Sequence, residues 1–539
     1  MKSANHRYFI CKILFIFIII SLTFLVISLL TETCKSSEIP EIDGDILYVG
    51  GSGPGNYTII QDAINDSANG DAVYVYNGTY YGNIIIYKSI YLIGEDKENT
   101  IINGDGYDTV VTIYADQVNV NGFNIKEGAV GINLDSASNN TISNNNITNN
   151  DFSGIELQSS SNNTISNNNI TNYYYGICLW YTSNNNTISN NNINDNEYGI
   201  DLDFTNNNTV TKNNITNNTC GINLCDCSNN NISNNTFIND GLYIANNEHN
   251  TISNNTVNDL PLVYLEGETD QTINYNAGQI ILVNCNNITI QNQEITNTIA
   301  AIQLLNTNNS LITNNNISNH YYSLGIYLYS SNNNTITENN ISNNNYGIPL
   351  SCSSNNTVTE NNINNNYYGI CLWYTSNNNT ISNNNINDNE YGIYITYLSD
   401  NNILYHNNFI NDIENAEDYG DNYWNSSFGE GNYWDDYTGI DENYDNIGDS
   451  PYDIAGGNNQ DLYPLMNPWG STIVDNGPRG RSSSSPPNQN QHPKADASKG
   501  EPYTGFVGEN ITFDGTNSSD TDGEIVSYLW DFGDGNNGA

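Results

Sequence analysis

Residues 176–200 read GICLWYTSNNNTISNNNINDNEYGI, and residues 369–393 repeat that string without a change. Inside it lies a phrase, GI-x-L-x-x-S-x-N-N-T-I-S-N-N-N-I-x-N-N, that returns about every 22–23 residues down most of the chain. Its Gly-Ile or Gly-Leu pair falls at Gly131, Gly154, Gly176, Gly199, Gly221 and Gly241, and after a gap at Gly325, Gly347, Gly369 and Gly392. A fixed period of that size means stacked units rather than a conventional globule. Each unit holds short segments alternating apolar and polar, separated by Asn and Gly, and none can close a core alone. Stacked units can, because each strand pairs with its copies above and below at about 4.8 Å. Ile155, Leu157, Ile165 and Ile170 are predicted to point inward in one coil, and Ile177, Leu179, Ile188 and Ile193 in the next. Glycine and Asn tolerate the left-handed backbone of sharp corners, and Asn side chains can bond their equivalents in adjacent coils. The fold class read from this pattern is all-β: an elongated parallel β-helix of roughly 16 coils, with a rod length on the order of 75–80 Å.

Working outward, residues 42–109 read as the N-terminal cap and first coils, with a helix over 57–68 that places Ile59, Ile60, Ala63 and Ile64 on one face and ends at Asn69-Gly70. Repeats occupy 110–415, and their phase breaks over 242–324. Irregular coils with one longer loop account for the break, and a ligand groove is the alternative. Residues 416–470 turn rich in Trp, Tyr and Asp and read as the closing segment. Residues 471–493 are a Ser/Pro/Gln linker, and 494–539 return to short strands with Asp/Gly turns. The cell-export signal lies in 1–35: Lys2, His6, Arg7 and Lys12 precede an uncharged apolar run, 13–30, which suits a signal peptide or an N-terminal membrane anchor. The expected location is extracellular or at the cell surface, with membrane contact only through that segment.

Twelve Lys and Arg stand against 59 Asp and Glu, a formal net charge of −47. That balance excludes nucleic acid as a partner, since phosphate binding needs basic clusters. Neutral glycans, cations and other surface proteins remain compatible. Nine cysteines show no framework spacing. Cys220, Cys225 and Cys227 cluster, as free thiols or as ligands of a soft metal.

The cap IIQDAINDSANGDAVYVYNGTYYGN, the GI-x-L…NNTISNNNI coils and the tail GNYWDDYTGIDENYDNIGDSPYDI…DLYPL resemble the right-handed parallel β-helix repeat family, in its NosD-like branch of archaeal surface proteins, over about residues 46–469. The last stretch, FDGTNSSDTDGEIVSYLWDFGDG, is similar to the start of a PKD-type domain, which implies a partial β-sandwich, truncated at the end of the chain. The resemblance implies a right-handed coil and an N-terminal capping helix. It also brings in polysaccharide lyases, hydrolases and epimerases of this shape, and, through the NosD name, maturation of a copper enzyme.

Four candidate chemistries follow. A lyase handles uronates with a cationic base or Ca²⁺, yet Arg is absent between Arg7 and Arg479 and Lys is sparse in the coils. Asp201 and Asp203, outward on one strand, with Glu156 on a neighbouring coil, could form an acid–base pair; a solvated outer face is the plainer reading, and no catalytic residue is assigned. Copper needs Cys, His or Met ligands, but Met occurs only at Met1 and Met466, and His249, His320 and His406 are scattered. Asp441, Asn443, Asp445 and Asp449 offer oxygens at alternate positions, as calcium loops do, so a structural Ca²⁺ is the one cofactor considered. Finally, Tyr175, Tyr198, Tyr346, Tyr368 and Tyr391 precede the repeat glycine and should form columns, with Trp180 and Trp373 beside them. Aromatic rows suit the flat faces of sugars, or simply stiffen the rod. Tyr175, Trp180, Tyr198, Tyr368, Trp373 and Tyr391 are therefore the candidate carbohydrate-binding residues of a surface scaffold or adhesin. Sequons such as Asn56-Tyr-Thr and Asn146-Ile-Thr are glycosylation candidates that Asn-rich repeats also generate by chance.

Overall fold

The computed structural model describes residues 44–171, 174–245, 249–318 and 323–470, with the backbone of 530–531 and 537–538. The chain divides into two units, Met1–Ser471 and Thr472–Ala539. Of the second, the described part is an antiparallel pair, Trp530–Asp531 with Asn537–Gly538. The stretches read from the sequence as an export segment, a linker and most of a sandwich domain lie outside the described residues.

One rung of the first unit shows how the repeat becomes structure. Tyr175–Trp180 forms one wall, Thr187–Ser189 the second and Asn192–Asn194 the third. Each strand pairs in parallel with its copy in the next rung: Ile177 with Ile200, Ile188 with Val210, Ile193 with Ile215. The eight aliphatic residues named above as inward are all fully buried. At about 1.5–3 kcal/mol for each fully buried aliphatic, four per rung outweigh any single hydrogen bond at about 1 kcal/mol, so packing sets the register. The second walls contain ten and then seven strands, giving seventeen rungs.

Corners are made by Asn, and repeat glycines serve another purpose than the sequence suggests. Asn185, Asn190 and Asp195 of one rung sit at φ 57°, 55° and 57°. The repeat glycines do not adopt that conformation. Instead, a Cβ on Gly176 would lie 2.5 Å from the carbonyl oxygen of Gly199, and one on Gly199 2.6 Å from that of Gly221. Glycine is there because neighbouring rungs approach too closely for a side chain. Buried Asn side chains form ladders: Asn168 Oδ1 accepts from the backbone N–H of Asn145 (3.0 Å) and from its Nδ2 (3.2 Å), while Asn168 Nδ2 donates to the Ile142 carbonyl (3.0 Å). Each amide thereby satisfies backbone groups that the corner leaves unpaired.

The phase break is a corner between two stacks, not an irregular stretch of one rod. The first stack ends with Leu242–Ala245, Thr251–Ser253 and Thr256–Val257. Asn258 and Asp259 then turn at φ 49° and 66°, and Val257 pairs antiparallel with Leu260. Two positive φ values in a two-residue loop make a tight hairpin. The strand that leaves it, Leu260–Glu266, starts the second stack by pairing in parallel with Gln279–Val283. Leu262, Ile281, Val283 and Leu305 belong to the first core, whereas Val263, Ile280, Leu282 and Leu304 belong to the second. The outer face of the second stack's first wall therefore covers the open end of the first stack. Gln279 bonds both backbone groups of Leu242 (Oε1 from N–H 3.0 Å, Nε2 to the carbonyl 2.7 Å), and Gln303 does the same for Ile244 (3.4 and 2.6 Å). These amides stand in for the strand that would otherwise pair with that edge. At the other end, Gln61 treats Ile85 identically (2.8 and 3.1 Å).

The N-terminal cap is shorter than expected. The helix spans Ile60–Asp66, buries Ile60, Ala63 and Ile64, leaves Ile59 exposed and ends at Ser67. Gly70, at φ 94°, belongs to the following turn. The far end is closed by aromatics: Phe409 stacks on Trp434 at 4.3 Å, and Trp434 on Tyr452 at 4.2 Å.

Candidate functional site

Register brings the tyrosines before the repeat glycines together. On the second stack Tyr346, Tyr368 and Tyr391 occupy equivalent positions, and their rings stack at 5.0 Å with planes 3° and 20° apart. Trp373 meets Tyr346 edge-on at 4.9 Å. Burial raises the Tyr346, Tyr368 and Tyr391 hydroxyls above their ordinary value, so they remain neutral donors. Because these rings cover one another's faces, the column acts as a pillar. The open rings stand beside it: Tyr374 is 71% exposed and Tyr397 69%. Both are absent from the residues the sequence points to. Tyr374 sits at a corner, φ 47°, where the strand alternation no longer says which way a side chain points. Together these side chains line a concavity of about 870 Å³, with Tyr327, Tyr329, Tyr346, Tyr368, Trp373, Tyr374, Tyr394 and Tyr397 as its aromatic lining and Ser351, Cys352 and Thr396 completing it. The lining contains no Asp, Glu, Lys or Arg.

On the first stack Tyr175 and Tyr198 stack at 5.3 Å, and Trp180 meets Tyr175 edge-on at 5.4 Å. The carboxylates beneath them differ from the solvated, outward pair expected. Asp201 is only 5% exposed, roofed by these rings, and Glu156 is also buried. Asp201 accepts from Trp180 Nε1 at 2.9 Å and from Asn223 Nδ2 at 2.7 Å, and burial raises its pKa against those bonds. Asp203, half-buried, is likewise pushed up by burial. Glu156 lies two rungs from Asp201, with the fully buried Cys178 between them. At about 4.8 Å per rung the two carboxylates stand on the order of 10 Å apart beneath an aromatic roof. Glu156 accepts from Ser153 Oγ at 3.2 Å and from Gln158 Nε2, so neither buried carboxylate is presented to solvent.

The acidic loop near the end of the first unit spends its oxygens on its own backbone. Asp441 accepts from the N–H groups of Tyr444 (2.6 Å) and Asn446 (2.9 Å), Asn443 from Asp445 (3.0 Å), Asp445 from Ile447 (2.9 Å), and Asp449 from Glu442 (2.6 Å). Among the described residues, no group of three or more His, Cys, Asp and Glu is gathered where a metal ion could sit.

The cysteine cluster does not converge either. Cys220 Sγ donates to the Ile222 carbonyl (3.4 Å) and Cys227 Sγ to that of Cys225 (2.9 Å). Burial pushes the Cys225 thiol up to about 12 and Cys220 well above its ordinary value. His406 stacks on Trp469 and bonds Glu430 at 3.0 Å; burial lowers its pKa more than Glu430 raises it. His320 lies outside the described residues.

These features define a two-stack parallel β-helix repeat protein with aromatic outer faces. A family model described as "periplasmic copper-binding protein (NosD)" matches residues 64–240, 153–276 and 261–439, and a PKD domain model matches 490–539. The chain belongs to the NosD family and carries a C-terminal PKD domain. The two domain types together point to an extracytoplasmic protein. Copper, which the family's description names, does not fit the described donor set, in which no three His, Cys, Asp or Glu side chains gather.

Short stretches are similar to two collagenases: 34 residues are 65% identical to collagenase ColQ1 of Bacillus cereus (strain Q1), and 31 residues are 68% identical to microbial collagenase of Vibrio alginolyticus. Each stretch is 6% of this chain and 4% of the curated relative. Among solved structures, pectate lyase Pel9A aligns at 14% identity over 53% of this chain and 79% of its own (TM-score 0.33). Alginate lyase from Paenibacillus sp. str. FPU-7 aligns at 13% over 61% and 98% (0.29), and the mannuronan C-5 epimerase AlgE6 A-module of Azotobacter vinelandii at 16% over 68% and 93% (0.23).

Proposed function

We propose that this protein is an extracytoplasmic, cell-surface scaffold that holds neutral polysaccharide in the aromatic cleft of the second stack. The observation that carries the reading is the lining: eight aromatic side chains and no charged one around about 870 Å³. Exposed ring faces of Tyr374 and Tyr397 match the C–H faces of sugar rings, while tyrosine hydroxyls, Ser351 and Thr396 can bond sugar hydroxyls. The rungs beneath are rigid, so little ordering entropy opposes binding. A net charge of −47 disfavours polyanions. The same cleft lining contains no carboxylate pair, which favours holding a glycan over cleaving it.

The test is calorimetry of the full chain with neutral polysaccharides (β-glucan, mannan, xylan) at pH 7. For Tyr374→Ala with Tyr397→Ala we expect at least a tenfold loss of affinity, about 1.4 kcal/mol, at unchanged melting temperature, because both rings are exposed. Binding by that double variant with both affinity and stoichiometry undiminished would overturn the proposal.

A further inference from the structure

We infer that the first stack carries a second site of the same ligand class, so that one molecule bridges two segments of neutral polysaccharide; the inference rests on the glycan reading above. Its basis is the unchanged string at 176–200 and 369–393, which the fold uses in the same way twice. In both copies the Trp ends the first-wall strand, Tyr175–Trp180 and Tyr368–Trp373. In both, the next two residues take positive φ: Tyr181 and Thr182 at 53° and 65°, Tyr374 and Thr375 at 47° and 64°. The corner therefore throws the following Tyr outward each time.

One rung on, each copy also exposes an aromatic from outside the duplicated string. Phe204 accompanies Tyr181 as Tyr397 accompanies Tyr374, and the first pair is 66% and 58% exposed for Tyr181 and Phe204. The rung contact is direct, Thr182 N–H donating to the Phe204 carbonyl at 3.3 Å. The two sites differ in one respect. Asp201 fixes Trp180 through its Nε1 at 2.9 Å, whereas Tyr394 stands at the equivalent place beside Trp373. The first site is thus the more rigid.

The occupant follows from charge. Asp203 and Asp226 flank Tyr181 and Phe204 one and two rungs along, and Asp226 is exposed. An anionic polymer is repelled there, and a neutral one is not. The two sites sit on separate stacks: Phe204 lies two rungs before the end of the first, while the cleft begins at Tyr327 of the second, whose ring stacks on Tyr243 of the first stack's terminal rung at 6.4 Å. A polymer long enough to reach both sites gains roughly 10²–10⁴ in avidity from the linkage when geometry permits.

The experiment pairs calorimetry with turbidity on the full chain. With a neutral hexasaccharide of whichever of β-glucan, mannan or xylan binds, we expect two sites per chain, and with the polymer, cross-linked turbid complexes. Tyr181→Ala with Phe204→Ala should halve the stoichiometry and abolish turbidity while retaining binding; Tyr374→Ala with Tyr397→Ala should do the same. One site in the wild type, or full stoichiometry and turbidity in the Tyr181/Phe204 variant, would overturn bivalency and leave the cleft proposal standing. No heat with any neutral polymer would overturn both.

Discussion

Asp412 ends an Asn ladder, and replacing it with Asn should stabilise the protein at neutral pH. The ladder runs through Asn344, Asn366 and Asn389, each bonded to the next rung. At its foot Asp412 Oδ1 accepts from the Asn389 backbone N–H (2.7 Å) and Nδ2 (2.8 Å), while Oδ2 is buried with no hydrogen-bond partner. In the rung before, the group at that place is an amide that donates to the carbonyls of Ile363 (3.2 Å) and Asn387 (3.1 Å). A carboxylate cannot donate, so the position favours the protonated acid. Burial pushes the Asp412 carboxyl up from 3.8 to about 7; Asn389 opposes the rise, and Asp435 and Asp388 add to it. The folded value lies above the unfolded one, so stability is full below about pH 4 and falls as pH rises towards 7. Three units at 1.36 kcal/mol each set a ceiling of about 4 kcal/mol by pH 8. Melting temperatures of the full chain between pH 4.5 and 8.5 measure it. The wild type should lose stability as pH rises, and Asp412→Asn should melt higher at pH 8 with a flatter profile. The net charge of −47 contributes to the wild-type slope as well, so the difference between the two proteins is the diagnostic quantity. A lower melting temperature for Asp412→Asn at pH 8 would refute the reasoning. Asp240, at the foot of the equivalent ladder in the first stack, is fully buried with Oδ1 unpartnered and its pKa well above the ordinary value, and the same substitution there should act in the same direction.

Gln279→Ala with Gln303→Ala leaves backbone groups of Leu242 and Ile244 without their side-chain partners at the corner; at about 1–3 kcal/mol per unsatisfied group, hydrogen exchange should quicken across the terminal rung before the rest of the first stack, and equal protection would count against the capping role. Gly199→Ala places a methyl 2.6 Å from the Gly221 carbonyl oxygen, so we expect destabilisation of roughly 1–3 kcal/mol, and an unchanged melt would contradict the close-approach explanation. Chelation with EDTA should leave the melting temperature unchanged, since the oxygens of Asp441, Asn443, Asp445 and Asp449 already serve backbone N–H groups; a fall of several degrees would show that they turn to a cation.

The stack is legible in the sequence because a rung must place like on like: Ile177 over Ile200 and Tyr368 over Tyr391 follow from the period alone. The corner is not, because Asn258-Asp259 looks like any other Asn-rich turn, and its consequences act at a distance: Gln279 lies 37 residues from Leu242, and Gln303 59 from Ile244. The burial of Asp201 escaped for a related reason. Alternation correctly puts it outside the aliphatic core, but the roof over it comes from Tyr175 and Trp180 one rung away. Conformational freedom suggests corners as the place for glycine, whereas contact between rungs decides it. The open aromatics Tyr374 and Tyr397 lie just past strand ends, where no periodicity tells outward from inward, so the sequence pointed to the pillar rather than to the rings free to meet a ligand.

Hydroxyl-radical footprinting of the full chain, read by mass spectrometry with and without a saturating neutral polysaccharide, tests the glycan reading most directly. The account requires Tyr374 and Tyr397 to become protected while an exposed ring remote from the cleft, Tyr107 at 88%, stays reactive. Protection confined to other surfaces, with Tyr374 and Tyr397 as reactive as before, would contradict it.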